Sequence, residues 1–193
     1  MRYVLASASP RRKQLLAELV KEFEIIPSQA EEVVCGNPSP KALVAQLAAL
    51  KAEEVVKRPE NEGKIVIGSD TVVAFGKKVL GKPKDEEDAF RMLKMLSGEK
   101  HAVYTGVSFQ LLKNGKFFCR TKVEKTLVYF NDLSDEWIWA YIKGGSPMDK
   151  AGAYGIQDGG LVKGIKGSYT NVVGFPLELV EKMIRKAEKE WND

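Results

Sequence analysis

The spacing of apolar positions changes several times along the chain, and each change predicts a new element. A continuous apolar run at 65–67 is typical of a strand buried on both faces. Alternation over 101–112 and 116–129 predicts a long antiparallel hairpin turning at Asn114-Gly115. Other strands are predicted at 2–6, 23–26, 65–74, 79–83 and 161–165, and a turn at 167–171. Helices are predicted from Pro10 onward, with Leu15, Leu16, Leu19 and Val20 as an apolar stripe. Further helices are predicted at 41–57, 85–96 and 134–143, and from Pro176 to about Trp191.

The first predicted helix has an unusual charge at its start. Ser9 is a suitable N-cap and Pro10 a suitable first helical residue. Arg11, Arg12 and Lys13 then crowd the first turn, where the helix dipole favours negative charge. Two interpretations are open: these are solvated surface charges, or they cradle a phosphate together with the backbone N–H groups of the turn. The conflict with local rules favours the phosphate.

A second candidate is the acid that interrupts the most apolar strand. Asp70 follows the run at 65–67, and a buried aspartate is costly unless it is paired, hydrogen-bonded or bound to a metal. Gly68 and Ser69 leave space for another group to approach the backbone. We therefore expect Asp70 to have a functional role.

Other charged residues can be interpreted either as functional or as ordinary surface side chains. Glu31 and Glu32 lie in a loop and are either solvated or ligands of Mg²⁺. Lys51, at the edge of a helical apolar stripe, either snorkels or reaches into a cleft. Lys82, between Gly81 and Pro83, is restricted enough to be aimed at a phosphate.

The few histidine and cysteine residues exclude several kinds of site. His101 is the single histidine and is expected to be a partly exposed residue at a strand edge. Cys35 and Cys119 have neither CxxC spacing nor histidine companions, so we expect free thiols and no zinc site. Acid–base chemistry then falls to carboxylates and lysines, with a metal.

The composition of the chain limits the kinds of partner that it is expected to bind. The chain has 193 residues with 30 Lys+Arg and 26 Asp+Glu, a mild excess of +4 that fits an anionic small molecule and does not require nucleic acid. No apolar run reaches the roughly 18 residues of a membrane span, and no leader segment is visible at Met1-Arg2. We therefore expect a cytoplasmic protein without a membrane partner. No repeat or linker separates domains, so residues 1–193 are expected to form one domain.

Several motifs together resemble one family, the Maf-like nucleotide pyrophosphatases, also called septum formation inhibitors. The matching motifs, in chain order, are LASxSPRR at 5–12, the Glu31-Glu32 loop, LAxxKA at 47–52, GSDT at 68–71, GKP at 81–83, DKAGAYGIQ at 149–157 and GSYxNVVGxP at 167–176. The resemblance covers the chain from end to end. It implies an elongated α/β fold similar to that of inosine triphosphate pyrophosphatases, with a twisted mixed sheet flanked by helices and two lobes around a cleft.

The resemblance also implies an activity. A nucleoside triphosphate would be hydrolysed between its α and β phosphates to the monophosphate and pyrophosphate, with a divalent metal, Mg²⁺, or alternatively Mn²⁺ or Co²⁺. Thr71 and the motif at 149–157 are similar to the branch that acts on dTTP and UTP, in a house-cleaning role that includes modified pyrimidine nucleotides. One alternative is a pyrophosphatase for 7-methyl-GTP or another purine. Another is a non-enzymatic regulator of cell division and septum formation. A homodimer is expected by the same analogy.

The resemblance assigns roles to individual residues. It implies that Asp70 is the general base, although Asp70 is physically equally suited to be a metal ligand. Glu32 is the candidate second carboxylate for the metal, and Lys51 and Lys82 are the cations that neutralise the leaving pyrophosphate. Residues implied in substrate binding are Ser7, Arg11 and Arg12 at the triphosphate, Thr71 and Gln157 with Arg12 for specificity, and Asp149 and Lys150 beside the site. The Gln157 amide both donates and accepts, which suits a base edge, whereas Asp149-Lys150 is also compatible with a simple turn pair.

Overall fold

A mixed seven-stranded sheet organises the protein. The computed structural model describes residues 1–34 and 36–191, apart from the side chain of Ser146. The strands of the described chain are β1 (Arg2–Leu5), β2 (Glu24–Ile25), β3 (Lys64–Phe75), β4 (Lys78–Leu80), β5 (Lys100–Lys113), β6 (Lys116–Phe130) and β7 (Val162–Lys166). Their order is β2-β1-β3-β5-β6-β7, and β4 pairs with β3. β1 is parallel to both β2 and β3, whereas β4 and β7 are antiparallel to their partners.

Helices flank this sheet, which confirms the predicted α/β class. They are α1 (Pro10–Ala17), α2 (Pro40–Val56), α3 (Glu86–Leu96), α4 (Asp135–Lys143), α5 (Tyr169–Val173) and α6 (Leu177–Glu190). The serine or aspartate before each of the first four accepts a backbone N–H of the first turn, as at Ser9 and Ser39. The predicted hairpin is confirmed, because Asn114 and Gly115 both have positive φ in the two-residue turn between β5 and β6.

The chain divides into two compact units. The first comprises Met1–Asp70, Thr105–Glu124 and Gly174–Asp193, and the second comprises Thr71–Tyr104 and Lys125–Val173. The boundary along β3 therefore falls between Asp70 and Thr71.

The first unit has apolar cores on both faces of its part of the sheet. On one face, Leu16 of α1 and Met183 of α6 pack against Leu5, Ile67 and Phe109. The other face carries a smaller cluster that joins α2 to β1 and β3: Val4, Ala6, Ala52, Val55, Val56 and Val66. The two helix layers explain why the run at 65–67 is apolar at every position.

The second unit has one core. Leu93 of α3 and Ile138 of α4 pack with Val128 and Phe130 of β6 and with Tyr154. We call residues 144–157 the glycine-rich segment. It includes short 3₁₀ turns at Ser146–Asp149 and Ala151–Ala153, and a third turn, Ile156–Asp158, begins within it and ends one residue after it. Gly152 has a φ of 71° and lies against the side chain of Val73, so this position favours glycine.

Two local predictions were wrong. Residues 167–171 were expected to form a turn, but Tyr169–Val173 forms α5, where the Ser168 hydroxyl accepts the Asn171 backbone N–H. The buried Asn171 side chain donates to the Val103 carbonyl and the Thr126 hydroxyl, so tertiary hydrogen bonds hold a helix with little local signal. α1 ends at Ala17, before Leu19 and Val20 of the predicted stripe, although Val20 is still buried in the core.

No helix in the described residues has the length and apolar character needed to cross a bilayer.

Candidate functional site

Helix α2 is pressed against the sheet at two glycines, and this contact positions the candidate site. A Cβ on Gly68 of β3 would lie 2.2 Å from the carbonyl oxygen of Ala48, and a Cβ on Gly106 of β5 would lie 2.1 Å from that of Val44. Both distances are far below van der Waals contact, so only glycine permits this approach. The space that the sequence indicated at Gly68 is therefore filled by α2.

This close contact brings Lys51 of α2 to the end of the apolar part of β3. Its ammonium nitrogen lies 2.6 Å from Asp70 Oδ1 and 2.8 Å from Glu32 Oε1. The side chains of Lys51 and Asp70 are 17% and 12% exposed, whereas that of Glu32 is 54% exposed. One ammonium thus bridges a buried carboxylate and a half-exposed one, and of the two adjacent acids it is Glu32 that makes this bridge.

The electrostatics of Asp70 reflect its burial. Removal from water raises the pKa of the Asp70 carboxyl above its ordinary value, and nearby Glu32 adds to this. Lys51, through its charge and its hydrogen bond, and Arg12, through its charge, act in the opposite direction. A carboxylate held between two cations yet largely removed from water is suited to accept a proton or to bind a metal.

Arg12 is not a solvated surface charge. Its guanidinium donates from Nε to the Gly174 carbonyl at 3.0 Å and from Nη1 to the Ser69 carbonyl at 2.8 Å. Nη1 also donates to the Ser7 hydroxyl at 3.4 Å. Burial lowers the pKa of Arg12, and Asp70 counteracts that shift. These contacts join the loop before α1 to the backbone beside Asp70, and Arg11 lies next to them in the first turn.

The first unit thus brings together part of the predicted site. Ser7, Arg12, Glu32, Lys51 and Asp70 are connected by direct contacts or by charge. The carbonyls of Ser69 and Gly174, which orient Arg12, were missed, because backbone acceptors leave no signal in a sequence.

The remaining predicted residues lie in the second unit. Thr71 is partly buried, whereas Lys82 and Gln157 are exposed. Lys150 pairs with Asp149 at 2.8 Å, and its side chain is largely buried. The roles assigned to these residues stay predictions.

Sequence reasoning also missed a hydrogen-bond network that supports the glycine-rich segment. The Tyr141 hydroxyl of α4 accepts the Gly155 N–H at 3.1 Å and donates to Asp158 at 2.5 Å. Trp137 stacks on Tyr141 one helical turn away.

The expectation for His101 was wrong. The residue is buried with 3% exposure, and its Nε2 lies 2.8 Å from the Tyr154 hydroxyl. Phe130 and Tyr154 pack edge-on against the ring, and burial lowers the pKa of His101 to about 4. Ala102 and Val103, the next two residues of β5, are buried as well, so both faces of the strand are covered at this point.

The acids of the first unit fit a divalent metal. Among residues 1–34 and 36–191 no group of three or more metal-binding side chains occurs, so a dedicated protein cage is not formed there. Glu32 and Asp70 nevertheless direct two carboxylate oxygens at one cationic nitrogen. Mg²⁺ is commonly held by one or two carboxylates together with substrate phosphates, so this pair suits it. Cys119 is exposed and free, whereas Cys35 lies outside the described residues.

Comparison with known proteins identifies the family. A family model described as "Maf-like protein" matches residues 2–187. The chain belongs to the Maf-like family. Its site residues in the first unit lie within the motifs on which the resemblance was based, LASxSPRR, the Glu31-Glu32 loop, LAxxKA and GSDT.

Maf-like relatives match the chain over nearly its full length. A protein of Thermococcus kodakarensis named "dTTP/UTP pyrophosphatase" is 52% identical over 182 residues, which cover 93% of this chain and 94% of the relative. A protein of Agathobacter rectalis with the same name is 47% identical over 95% of this chain and 96% of its own length. Another, from Carboxydothermus hydrogenoformans, is 49% identical over the full length of both chains.

Solved structures support the fold. The Staphylococcus aureus Ham1 protein superposes with a TM-score of 0.56 at 14% identity and covers 96% of this chain and 99% of its own. A HAM1 protein from Coxiella burnetii gives a TM-score of 0.54 at 14% identity, covering 97% and 100%. At this identity the likeness concerns the fold alone.

Proposed function

We propose that this Maf-like protein hydrolyses dTTP and UTP between the α and β phosphates, releasing the nucleoside monophosphate and pyrophosphate. The observation that carries the proposal is 52% identity over 93% of the chain to a relative named for that activity. The geometry of the first unit supports it, because a buried carboxylate and cationic side chains are the groups that phosphoryl transfer requires. Modified pyrimidine nucleotides fit the same chemistry as substrates in a house-cleaning role.

In this proposal Asp70 is the central carboxylate. Its burial and its two cationic neighbours support a role in orienting and deprotonating the attacking water. Arg12 and Ser7 bind the triphosphate, with Arg11 beside them. Arg12 is pre-oriented for this by the Ser69 and Gly174 carbonyls, so little side-chain entropy is lost on binding.

Lys51 and Lys82 are proposed to stabilise the negative charge that develops on the leaving pyrophosphate. Glu32 and Asp70 would hold Mg²⁺, or Mn²⁺ or Co²⁺ in its place, and the bound cation would neutralise phosphate charge. The convergence of both carboxylates on one nitrogen supports this pair as the metal ligands.

Base selection is proposed to involve Thr71 and Gln157 together with Arg12. Asp149 and Lys150, on the glycine-rich segment, are proposed to contribute to substrate binding. The relatives' shared name supports pyrimidine triphosphates over purines. We further propose that the protein is cytoplasmic and, by analogy with the family, a homodimer.

A substrate panel tests the proposal. Pyrophosphate release by the purified protein with Mg²⁺ or Mn²⁺ is measured for dTTP, UTP, dCTP, CTP, ATP, GTP and 7-methyl-GTP. We expect fast release from dTTP and UTP and slow release from the others. Release from a purine alone would keep the enzyme class and refute the pyrimidine assignment. Folded protein inactive on every nucleotide would refute the function and favour the regulator of cell division.

A further inference from the structure

We propose that the Lys51 ammonium is a built-in substitute for the metal: it occupies the position between Glu32 and Asp70 and must leave when a divalent cation binds there. This inference rests on the proposed function and concerns the control of that same site. It predicts that the protein binds its metal weakly until the nucleotide arrives and draws Lys51 onto its phosphates.

The first support is the geometry of the bridge. Lys51 makes two contacts below 3 Å, at 2.6 Å to Asp70 and 2.8 Å to Glu32, and these two carboxylates are the ones proposed to hold the metal. A cation cannot bind both oxygens closely while the ammonium lies between them, because like charges at such separations repel strongly. The two cations therefore compete for one place.

The second support is the way Lys51 is attached. Its backbone belongs to the part of α2 that is pressed onto β3, where Ala48 and Ala52 lie against Gly68. The base of the side chain is thus fixed, whereas its four-carbon stem is flexible and can redirect the ammonium. Lys51 can leave the carboxylates without movement of the helix and remain close enough to meet a phosphate.

The third support is the exposure of the two acids. Asp70 is 12% exposed and without Lys51 would lose the cation that is hydrogen-bonded to it and keep only the nearby charge of Arg12, whereas Glu32 is 54% exposed. An uncompensated buried carboxylate is strongly unfavourable. Lys51 thus stabilises Asp70 in the protein without substrate, and the half-exposed Glu32 leaves an approach from solvent for the cation that replaces it.

The test measures the binding of Mn²⁺ alone to the full-length protein without nucleotide. Electron paramagnetic resonance of the free Mn²⁺ monitors the binding. Lys51→Met removes the charge with little change in length. We expect it to bind Mn²⁺ at least about tenfold more tightly than the wild type, because one unit charge is removed from a partly buried site. Lys51→Arg keeps the charge and should bind as weakly as the wild type.

A matched control separates local competition from net charge. Lys57→Met is that control, because Lys57 lies directly after the end of α2, pairs with Glu53 and is 65% exposed. It makes the same charge change and should leave Mn²⁺ affinity unchanged. In the double variant Lys51→Met with Glu32→Gln, the gain should disappear. If Lys51→Met unfolds, Lys51→Gln, whose amide can still donate to Asp70, takes its place with the same expectation.

Failure of this inference can be distinguished from failure of the proposed function. Equal Mn²⁺ affinity of folded Lys51→Met and wild type overturns the substitution of metal by lysine, even if the wild type releases pyrophosphate from dTTP. A gain that survives Glu32→Gln, or that Lys57→Met reproduces, overturns it as well. Conversely, tighter binding by Lys51→Met in a protein that hydrolyses no nucleotide supports the competition and refutes the proposed activity.

Discussion

Replacement of Gly68 by alanine tests whether the contact between α2 and β3 positions the site. The added Cβ would lie 2.2 Å from the Ala48 carbonyl oxygen and 2.7 Å from the Ala52 nitrogen. Both are backbone atoms, so no side-chain rotation can relieve the overlap. Ordinary contact begins near 3.4 Å, so α2 must move away from β3 by about 1 Å.

We expect Gly68→Ala to lower both the stability of the protein and its activity. Overpacking of this kind costs about 1–3 kcal/mol, and the rigid neighbours place Gly68→Ala near the upper end. A displacement of about 1 Å of a charged group beside the reacting atoms can lower the rate by roughly 100-fold. Since Lys51 lies on the displaced part of α2, we expect kcat/KM for dTTP to fall by about that factor.

The assay combines urea unfolding, followed by circular dichroism, with pyrophosphate release. Gly164→Ala is the matched control, because Gly164 lies in strand β7 with nothing within 4 Å of the added Cβ, and its stability and activity should stay near wild type. The reasoning is refuted if Gly68→Ala retains both the stability and the kcat/KM of the wild type.

Three further predictions concern other parts of the protein. Glu32→Gln should lower turnover at limiting Mg²⁺ far more than Glu31→Gln, because Glu32 makes the bridge to Lys51; equal losses in a Mg²⁺ titration would contradict the assignment. Tyr141→Phe removes the hydroxyl that ties α4 to the glycine-rich segment, so KM for dTTP should rise about fivefold with kcat little changed; steady-state kinetics in which kcat falls instead would argue against a binding role. His101 has a pKa of about 4 in the folded protein and an ordinary value of 6.5, so the unfolded chain takes up the proton first as the pH falls. The free energy of unfolding should therefore decrease by up to about 3 kcal/mol between pH 6.5 and 4, and His101→Gln should remove that part of the slope in urea unfolding; an unchanged slope would refute the explanation.

Local patterns predicted the elements well where one interaction decides them. Ser9 and Ser39 mark helix starts because a cap acts on the next three residues, and Asn114-Gly115 marks the hairpin because both residues accept positive φ. The short helix α5 was missed because the tertiary hydrogen bonds of Asn171 support it.

The candidate site was predictable in its charges but not in its contacts. Asp70 was singled out because an acid in an apolar strand is costly, and the structure confirms its burial. That Lys51 is its partner depends on two glycines that admit α2 to the sheet, a relation between distant positions. The partners of Arg12 are backbone carbonyls at Ser69 and Gly174, which no residue type reveals.

The central claim is that Asp70 drives cleavage between the α and β phosphates of a pyrimidine triphosphate. The most direct measurement is chromatographic product analysis of dTTP incubated with the wild type and with Asp70→Asn, whose fold is checked by thermal unfolding. The account predicts dTMP and pyrophosphate from the wild type and at least a roughly 1000-fold slower reaction from the folded variant, the scale on which loss of a central catalytic group lowers turnover. Formation of dTDP and phosphate, or near-normal turnover by Asp70→Asn, would contradict it.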